Sequence, residues 1–329
     1  MTESNIVCPQ CSGPLDLRRE RIACDACGQA FSRDSESGLP LLFFDHSRSP
    51  EDVTARIKDF YEKTPFPDYE LIDSAATLRI KSERGLFARL LDEQIPHGAR
   101  ILEAGCGTGQ LSNFLGLTLD RQVTGADLCL NSLRMAEAFR RKNDIQNVRF
   151  LQMNLFKPVF KPGSFDLVIC NGVLHHTSDP CGGFRSIARL VKPSGHVLVG
   201  LYHAYSRIPT DVRRIIFRVF GNRFKFLDYR LRGKSIGDRK KNAWFMDQYK
   251  NPHESKHTLG ELIGWFKREG FEYLNGIPKP VPFQPFLPHE NLFEKNPEGS
   301  FLDHFLVEAG QFFAGDREGG FFLMIGRKK

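Results

Sequence analysis

Hydrophobic positions in this chain come in short runs separated by amphipathic stretches, and the alternation is most regular between residues 100 and 201. Apolar runs at 101–104, 122–127, 148–153, 165–171 and 196–201 have strand length and are rich in Val, Ile, Leu and Phe. Each is followed by a turn or a stretch with helical spacing: a glycine-rich turn opens a helix near Gln110, 180–191 makes another helix, and 192–195 makes a turn. Further on, Thr258 caps a helix over 258–269 that places Leu259, Leu262, Ile263 and Phe266 on one face. Strands are expected at 271–276 and 320–326. Strands alternating with helices predict an α/β fold with a parallel, doubly wound sheet and a ligand at its carboxyl edge.

Two segments interrupt this pattern, 203–257 and 277–318, and both are expected to rise over the ligand and build an acceptor pocket. The second is rich in phenylalanine from Phe283 to Phe313 and could close an apolar pocket. Ahead of the alternating region, a charged helical stretch at 51–63 runs into Pro65-Phe66-Pro67, where two prolines fix an extended turn. Tyr61, Phe66 and Tyr69 would there cover a pocket or pack the segment in place. The chain therefore divides into 1–45, a linker and helical cap at 46–83, and a main domain at 84–329.

The first of these divisions carries two CxxC pairs, Cys8/Cys11 and Cys24/Cys27, and that spacing lets two turns offer four thiolates tetrahedrally to one zinc ion. Four thiolates leave no open position, so the zinc is structural. A segment of this size buries little core, so the metal would supply most of its folding free energy. Its loss should unfold this segment and leave the main domain able to bind its ligand. Cys106, Cys129, Cys170 and Cys181 stand in apolar or glycine-rich surroundings and read as small buried side chains. The paired cysteines and the apolar exit at 38–44 resemble zinc ribbons of the Trm112-like type and those preceding some bacterial ribosomal RNA methyltransferases, over this segment only.

In the main domain, Ile101-Leu-Glu-Ala-Gly-Cys-Gly-Thr-Gly-Gln110 is a strand that stops in a turn with glycines at 105, 107 and 109. Glycines there let the backbone approach a ligand, and the helix start beyond offers free amides. The next strand ends at Asp127, suited to accept both hydroxyls of a ribose. The pattern is GxGxG after Glu103, with Gln110 where a dinucleotide-binding turn has its third glycine, which disfavours a nicotinamide enzyme. These two segments resemble the first and second motifs of class I methyltransferases, over roughly 84–329. The resemblance implies a seven-stranded sheet with an antiparallel seventh strand, and S-adenosylmethionine held by Glu103, Gly105, Cys106, Gly107, Gly109, Asp127, Leu128, Asn154, Leu155 and Asn171. Asn154 replaces the family's usual Asp, but its amide oxygen can accept the same hydrogen bond from adenine.

Val173-Leu-His-His-Thr-Ser-Asp179 resembles the loop of methyltransferases of the ubiquinone-biosynthesis type, and His175 or His176 is a candidate general base. Trp244, Tyr249, His253 and His257, with the acids among them, could orient an acceptor. Asn171-Gly-Val-Leu174 stands where amino-methylating enzymes carry an NPPY-like tetrapeptide, favouring an O- or C-methyl acceptor of small size. Composition adds little: 41% hydrophobic residues suffice for a core, and the formal charge of +7 is concentrated in 207–241. That basic stretch and the ribbon keep RNA open as a substrate. A non-catalytic adaptor for another methyltransferase is a third reading. Neither a membrane partner nor a secretory leader is indicated, and the expected compartment is the cytoplasm; the oligomeric state is open.

Overall fold

The computed structural model describes all residues except 1–4, 19–20, 46–51, 68, 70–72, 233–236 and 315–319, and the side chains of 222, 313 and 314 also lie outside the description. In chain order the strands are β1 (Ile22–Ala23), β2 (Ala30–Arg33), β3 (Pro40–Leu41), β4 (Arg100–Ala104), β5 (Gln122–Asp127), β6 (Val148–Gln152), β7 (Phe165–Asn171), β8 (Val191–Tyr202), β9 (Phe271–Ile277) and β10 (Phe321–Lys328). The helices are α1 (Val53–Lys63), α2 (Ala75–Arg84), α3 (Leu86–Gln94), α4 (Gln110–Leu115), α5 (Leu130–Lys142), α6 (Pro180–Ala188), α7 (Ile208–Phe220), α8 (Tyr229–Arg232), α9 (Asp238–Lys250), α10 (Leu259–Arg268) and α11 (Phe301–Ala314).

The expected seven strands form one sheet in the order β6-β5-β4-β7-β8-β10-β9. The first five are parallel, and β10 inserts antiparallel between β8 and β9. This is the doubly wound α/β sheet that the pattern of apolar runs predicts. Apolar residues on both sides of it are buried: Leu102, Val168 and Val199 lie in one core layer and Ile101, Ile169 and Leu198 in the other. Local signals hold at the helix starts, where Thr258 accepts from the Glu261 N–H at 3.2 Å and Asp179 from the Gly182 N–H at 2.8 Å. The turn expected at 192–195 is instead absorbed into β8, whose register shifts against β7 there.

The cysteine-bearing segment is not a separate body. Its β3 pairs parallel to β6, Leu41 opposite Gln152, which extends the sheet to ten strands. The Val7 N–H donates to the Val159 carbonyl at 2.9 Å, and Ile6, Leu15, Ile22, Phe31 and Leu42 share one buried cluster with Leu151, Met153 and Phe160. Arg134 of α5 grips Asp34 with two bonds, at 3.0 and 2.6 Å, and holds its carboxyl well below the usual carboxylate range.

The 277–318 segment departs further from expectation. After β9 it runs back along that strand's open edge, the Asn296 N–H donating to the Leu274 carbonyl at 2.8 Å, and reaches α3 at the amino edge. There Gln94 bonds the Glu290 carbonyl and the Leu292 N–H, both at 2.7 Å. A buried ion pair, Lys279–Glu290 at 2.5 Å, fixes the return. Residues 279–296 thereby cover a strand edge that would otherwise be unpaired. Phe283 is wholly exposed, while Phe286 and Phe293 pack on the α3 side of the sheet. None of these rings closes the cavity described below. Among the described residues no helix is long and apolar enough to cross a membrane.

Candidate functional site

At the carboxyl edge of the sheet, between the ends of β4, β5 and β7 and a lid made by α1, 64–67, α8 and α9, lies a cavity of about 470 Å³. Its floor is the glycine turn after β4. Gly105 and Gly107 have φ of +80° and +51°, and neither has room for a side chain. A Cβ at 105 would come within 2.3 Å of Val173, and one at 107 within 2.5 Å of the Phe66 carbonyl oxygen. The 64–67 segment is therefore seated directly on the turn, and Thr108 Oγ1 clamps it by donating to the Pro67 carbonyl at 2.5 Å. Gly109, assigned with the other two, is not in the cavity wall. It caps α4 and packs against Ala136 and Phe150 behind the turn.

Asp127 ends β5 at the cavity wall, its carboxylate receiving the N–H of Gly107 at 2.7 Å and of Cys129 at 2.8 Å. Burial nonetheless raises its pKa above the usual value. Glu103, one strand over, is more deeply placed: burial pushes its carboxyl up to about 8, although Ser112 Oγ donates to it. A carboxyl whose pKa is raised on folding contributes stability below its unfolded pKa that is lost as pH rises through the folded value. The contribution of Glu103 should thus fall between the ordinary carboxyl range and pH 8, by at most about 1.4 kcal/mol per pH unit. Denaturant titrations of the parent and of Glu103→Gln across that window should show their stability difference shifting against the parent as pH rises; a difference that does not change with pH would place the titration elsewhere.

Leu128, Asn154, Leu155 and Asn171 also line the cavity. Asn154 is 2% exposed, and its amide oxygen accepts the Phe156 N–H at 3.0 Å while its amide nitrogen donates to the Phe44 carbonyl at 3.1 Å. The group expected to read adenine is thus already engaged in holding the β6 loop against the cysteine-bearing segment. Cys106 and Cys129 face the same cavity, and burial raises both thiols well above their usual range.

The lid brings together residues distant in sequence. Asp247 of α9 lines the cavity and receives Tyr61 OH at 2.7 Å, Tyr202 OH at 3.3 Å and Gln248 Nε2 at 2.8 Å. Beneath it Arg207, fully buried, lies 3.8 Å from the Tyr202 ring centroid and pairs with Glu254 at 2.7 Å. Phe66 and Trp244 face one another with centroids 6.5 Å apart, and the Arg230 guanidinium lies 4.1 Å from the Trp244 ring. Gln248, Tyr202 and Arg230 were not singled out in the sequence, whereas Asp247 is one of the two acids noted there. Asp247 and Gln248 stand inside the aromatic 244–257 stretch, but Tyr202 ends an ordinary core strand and carries no local signal.

The two adjacent histidines separate. His175 is fully buried beside Tyr202, accepts that residue's N–H on Nδ1 at 3.3 Å, and is held neutral far into acid by burial. His176 lines the cavity; its Nδ1 donates to the His253 carbonyl at 2.9 Å, which fixes the tautomer and leaves Nε2 as the ring's lone pair. Burial lowers its pKa as well, partly opposed by Asp247. His253 holds this arrangement from outside the cavity by donating Nε2 to the Thr177 carbonyl at 3.1 Å. Three other expected pocket residues lie elsewhere. Tyr69 stacks on Phe139 at 4.5 Å and accepts from Asn113. Tyr249 belongs to the lid's own core with Phe217 and Phe245, its hydroxyl bonded to Asp228. The backbone of His257 pairs with the end of β8, which turns its ring to Ser255 and Trp265.

The four cysteines converge too, with sulfur atoms all within 4.8 Å of one another. Matching turns, Ser12 N–H to the Cys8 carbonyl at 2.8 Å and Gly28 N–H to the Cys24 carbonyl at 2.9 Å, present them. Four thiolate sulfurs within this span fit the all-sulfur ligand set of a structural zinc ion.

Comparison with known proteins agrees with the geometry. Residues 102–199 match the family model described as a methyltransferase domain. Over 101 residues the chain is 37% identical to a ubiquinone biosynthesis O-methyltransferase of Albidiferax ferrireducens, covering 30% of this chain and 40% of that protein. It is 29% identical over 201 residues to an uncharacterised protein of Synechococcus, covering 53% and 48%. The chain therefore spans about half, or less, of the length of these curated relatives. PKMT2 from Rickettsia typhi, in complex with AdoHcy, superposes with a TM-score of 0.54 at 16% identity, covering 80% of this chain and 55% of that one, and shares the fold. Strand order, glycine turn and ribose-type acid agree with the family match: residues 102–199 carry a methyltransferase domain, set in a sheet with the class I strand order.

Proposed function

We propose that this chain transfers a methyl group to a hydroxyl of a small acceptor bound between the glycine turn and the lid, with zinc serving only the cysteine-bearing segment. The observation that carries the reading is that one cavity is lined by Asp127 and the glycine turn together with His176, Tyr61 and Asp247. S-adenosylmethionine bound there supplies an electrophilic methyl on a sulfonium. Asp127 would receive ribose hydroxyls, and Gly105 and Gly107 would let the backbone lie close to the cofactor. The Phe66 and Trp244 rings offer apolar walls for a flat acceptor, while the Asp247 carboxylate, held in place by the Tyr61 hydroxyl, offers oxygens that orient its polar groups. His176, neutral at pH 7 and basic only at Nε2, is placed to take the hydroxyl proton as the oxygen–methyl bond forms. The O-methyltransferase name of a partial relative supports an oxygen acceptor.

The test joins calorimetry with S-adenosylhomocysteine to a radiolabelled methyl-transfer screen of hydroxylated aromatic acceptors. With a responsive acceptor, His176→Gln should lower kcat by about 10²- to 10⁴-fold and leave cofactor affinity unchanged. In the parent protein kcat should rise with pH and level off below the ordinary histidine pKa. Full activity in His176→Gln would remove the base from the mechanism, and absence of cofactor binding would overturn the reading as a whole.

A further inference from the structure

Helix α7 buries one side and exposes an apolar stripe on the other. Phe217 and Thr210 point into the lid, while Ile208, Val212, Ile215 and Val219 recur at helical spacing on the opposite face, the last two 62% and 65% exposed. The exposed surface continues through Phe220 and Phe226 to Tyr229. Beside it the exposed Arg218, Arg223 and Arg232 stand in a stretch, 218–232, whose one acid is Asp228. That acid is buried and turned inward to Trp244 Nε1 and Tyr249 OH, each at 2.9 Å. The acid on α7 itself, Asp211, is paired with Lys256. The outward face is therefore aliphatic at its centre and positive at its border.

We infer that this face, α7 through α8, docks on an anionic lipid surface, with the aliphatic stripe entering the headgroup boundary and the arginines meeting lipid phosphates. An apolar patch ringed by cations has the complementarity of an interfacial helix. RNA would gain nothing from Ile208, Val212, Ile215 and Val219, because branched aliphatic side chains neither stack on bases nor meet phosphates. A symmetric pair of chains joined through the stripe would set one arginine border against its copy, whereas anionic lipid neutralises it. The face can support docking without any span, and the sequence alone did not separate it from an ordinary solvated helix. Arg230 and Trp244 belong to the same lid and line the cavity, so docking would bring an acceptor with an apolar tail to the site. That last step rests on the methyl-transfer reading; the docking does not.

The experiment is flotation of the full chain with vesicles of phosphatidylcholine alone and of an equimolar phosphatidylcholine–phosphatidylglycerol mixture, with S-adenosylhomocysteine binding measured on the same samples. Expected are retention by the anionic vesicles only, loss of retention at high salt, and about tenfold weaker partitioning in Ile215→Ser/Val219→Ser and in Arg218→Gln/Arg223→Gln. All four side chains are exposed, so melting temperature and cofactor affinity should not change. Equal retention by both vesicles, none by either, or indifference to both double variants would overturn the docking. So would two outcomes in the absence of vesicle retention: dimerisation abolished by the Ile215/Val219 pair, which assigns the stripe to a second copy, or a tRNA gel shift abolished by the arginine pair. Vesicle retention without cofactor binding would keep the docking and reject methyl transfer.

Discussion

Replacing Cys8 and Cys24 together by serine is expected to unfold the chain as a whole, in one transition seen equally by cofactor binding and by tryptophan fluorescence. The sequence suggests a milder result, a ribbon that melts alone. The structure points the other way, because both cysteines lie in the core cluster that holds Leu151, Met153 and Phe160, and β3 hydrogen-bonds to the sheet's edge strand β6. A structural zinc site contributes on the order of 10 kcal/mol, comparable to the whole net stability of a domain. Removing two of four thiolates abolishes the site and also leaves the edge of β6 and the apolar faces of Phe160 and Leu42 uncovered. Metal analysis of the parent should give one zinc per chain, and a strong chelator should lower its melting temperature in the same single transition. A variant that loses zinc yet binds S-adenosylhomocysteine with parental affinity would show that the segment folds independently, despite the shared sheet.

Asp127→Ala should weaken S-adenosylhomocysteine binding by roughly 2 to 4 kcal/mol, from about thirtyfold to about a thousandfold in Kd. The carboxylate does two things at once. It receives the N–H groups of Gly107 and Cys129, which fixes the glycine turn, and its remaining lone pairs face the cavity. Asp127→Asn should recover little, because its NH2 must oppose one of those two backbone N–H donors. Calorimetry measures the affinity, and a thermal melt separates loss of ligand contacts from loss of the turn. Parental affinity in Asp127→Ala would remove the assignment of this cavity to the cofactor.

Much of the sheet was legible because its signals are local. A buried parallel strand is apolar on both faces, so 101–104, 122–127 and 165–171 stand out as runs, and the glycine turn and Asp127 follow them at fixed spacing. The acceptor side was legible only in part. Tyr61, Phe66, Trp244 and His176 do line the cavity. Tyr69 and Tyr249 were indistinguishable from them by residue type, yet Tyr69 packs against the main sheet's core and Tyr249 into the lid's own. Nothing in the letters His175-His176 tells which ring turns inward; the single-turn helix after β7 and the His253 carbonyl decide it.

By itself, then, the sequence determined the doubly wound sheet, the glycine turn with its acid, and the four-cysteine set, because each depends on periodicity or on groups within a few residues of one another; the antiparallel last strand was implied only by the resemblance to class I methyltransferases. Only the tertiary structure decided that the cysteine-bearing segment shares the main core, that 279–296 covers a strand edge instead of the cavity, and that Asp247, Tyr202 and Tyr61 meet. Those outcomes depend on which surfaces remain unpaired once the sheet has formed, and residues 186 positions apart, such as Tyr61 and Asp247, leave no pattern along the chain.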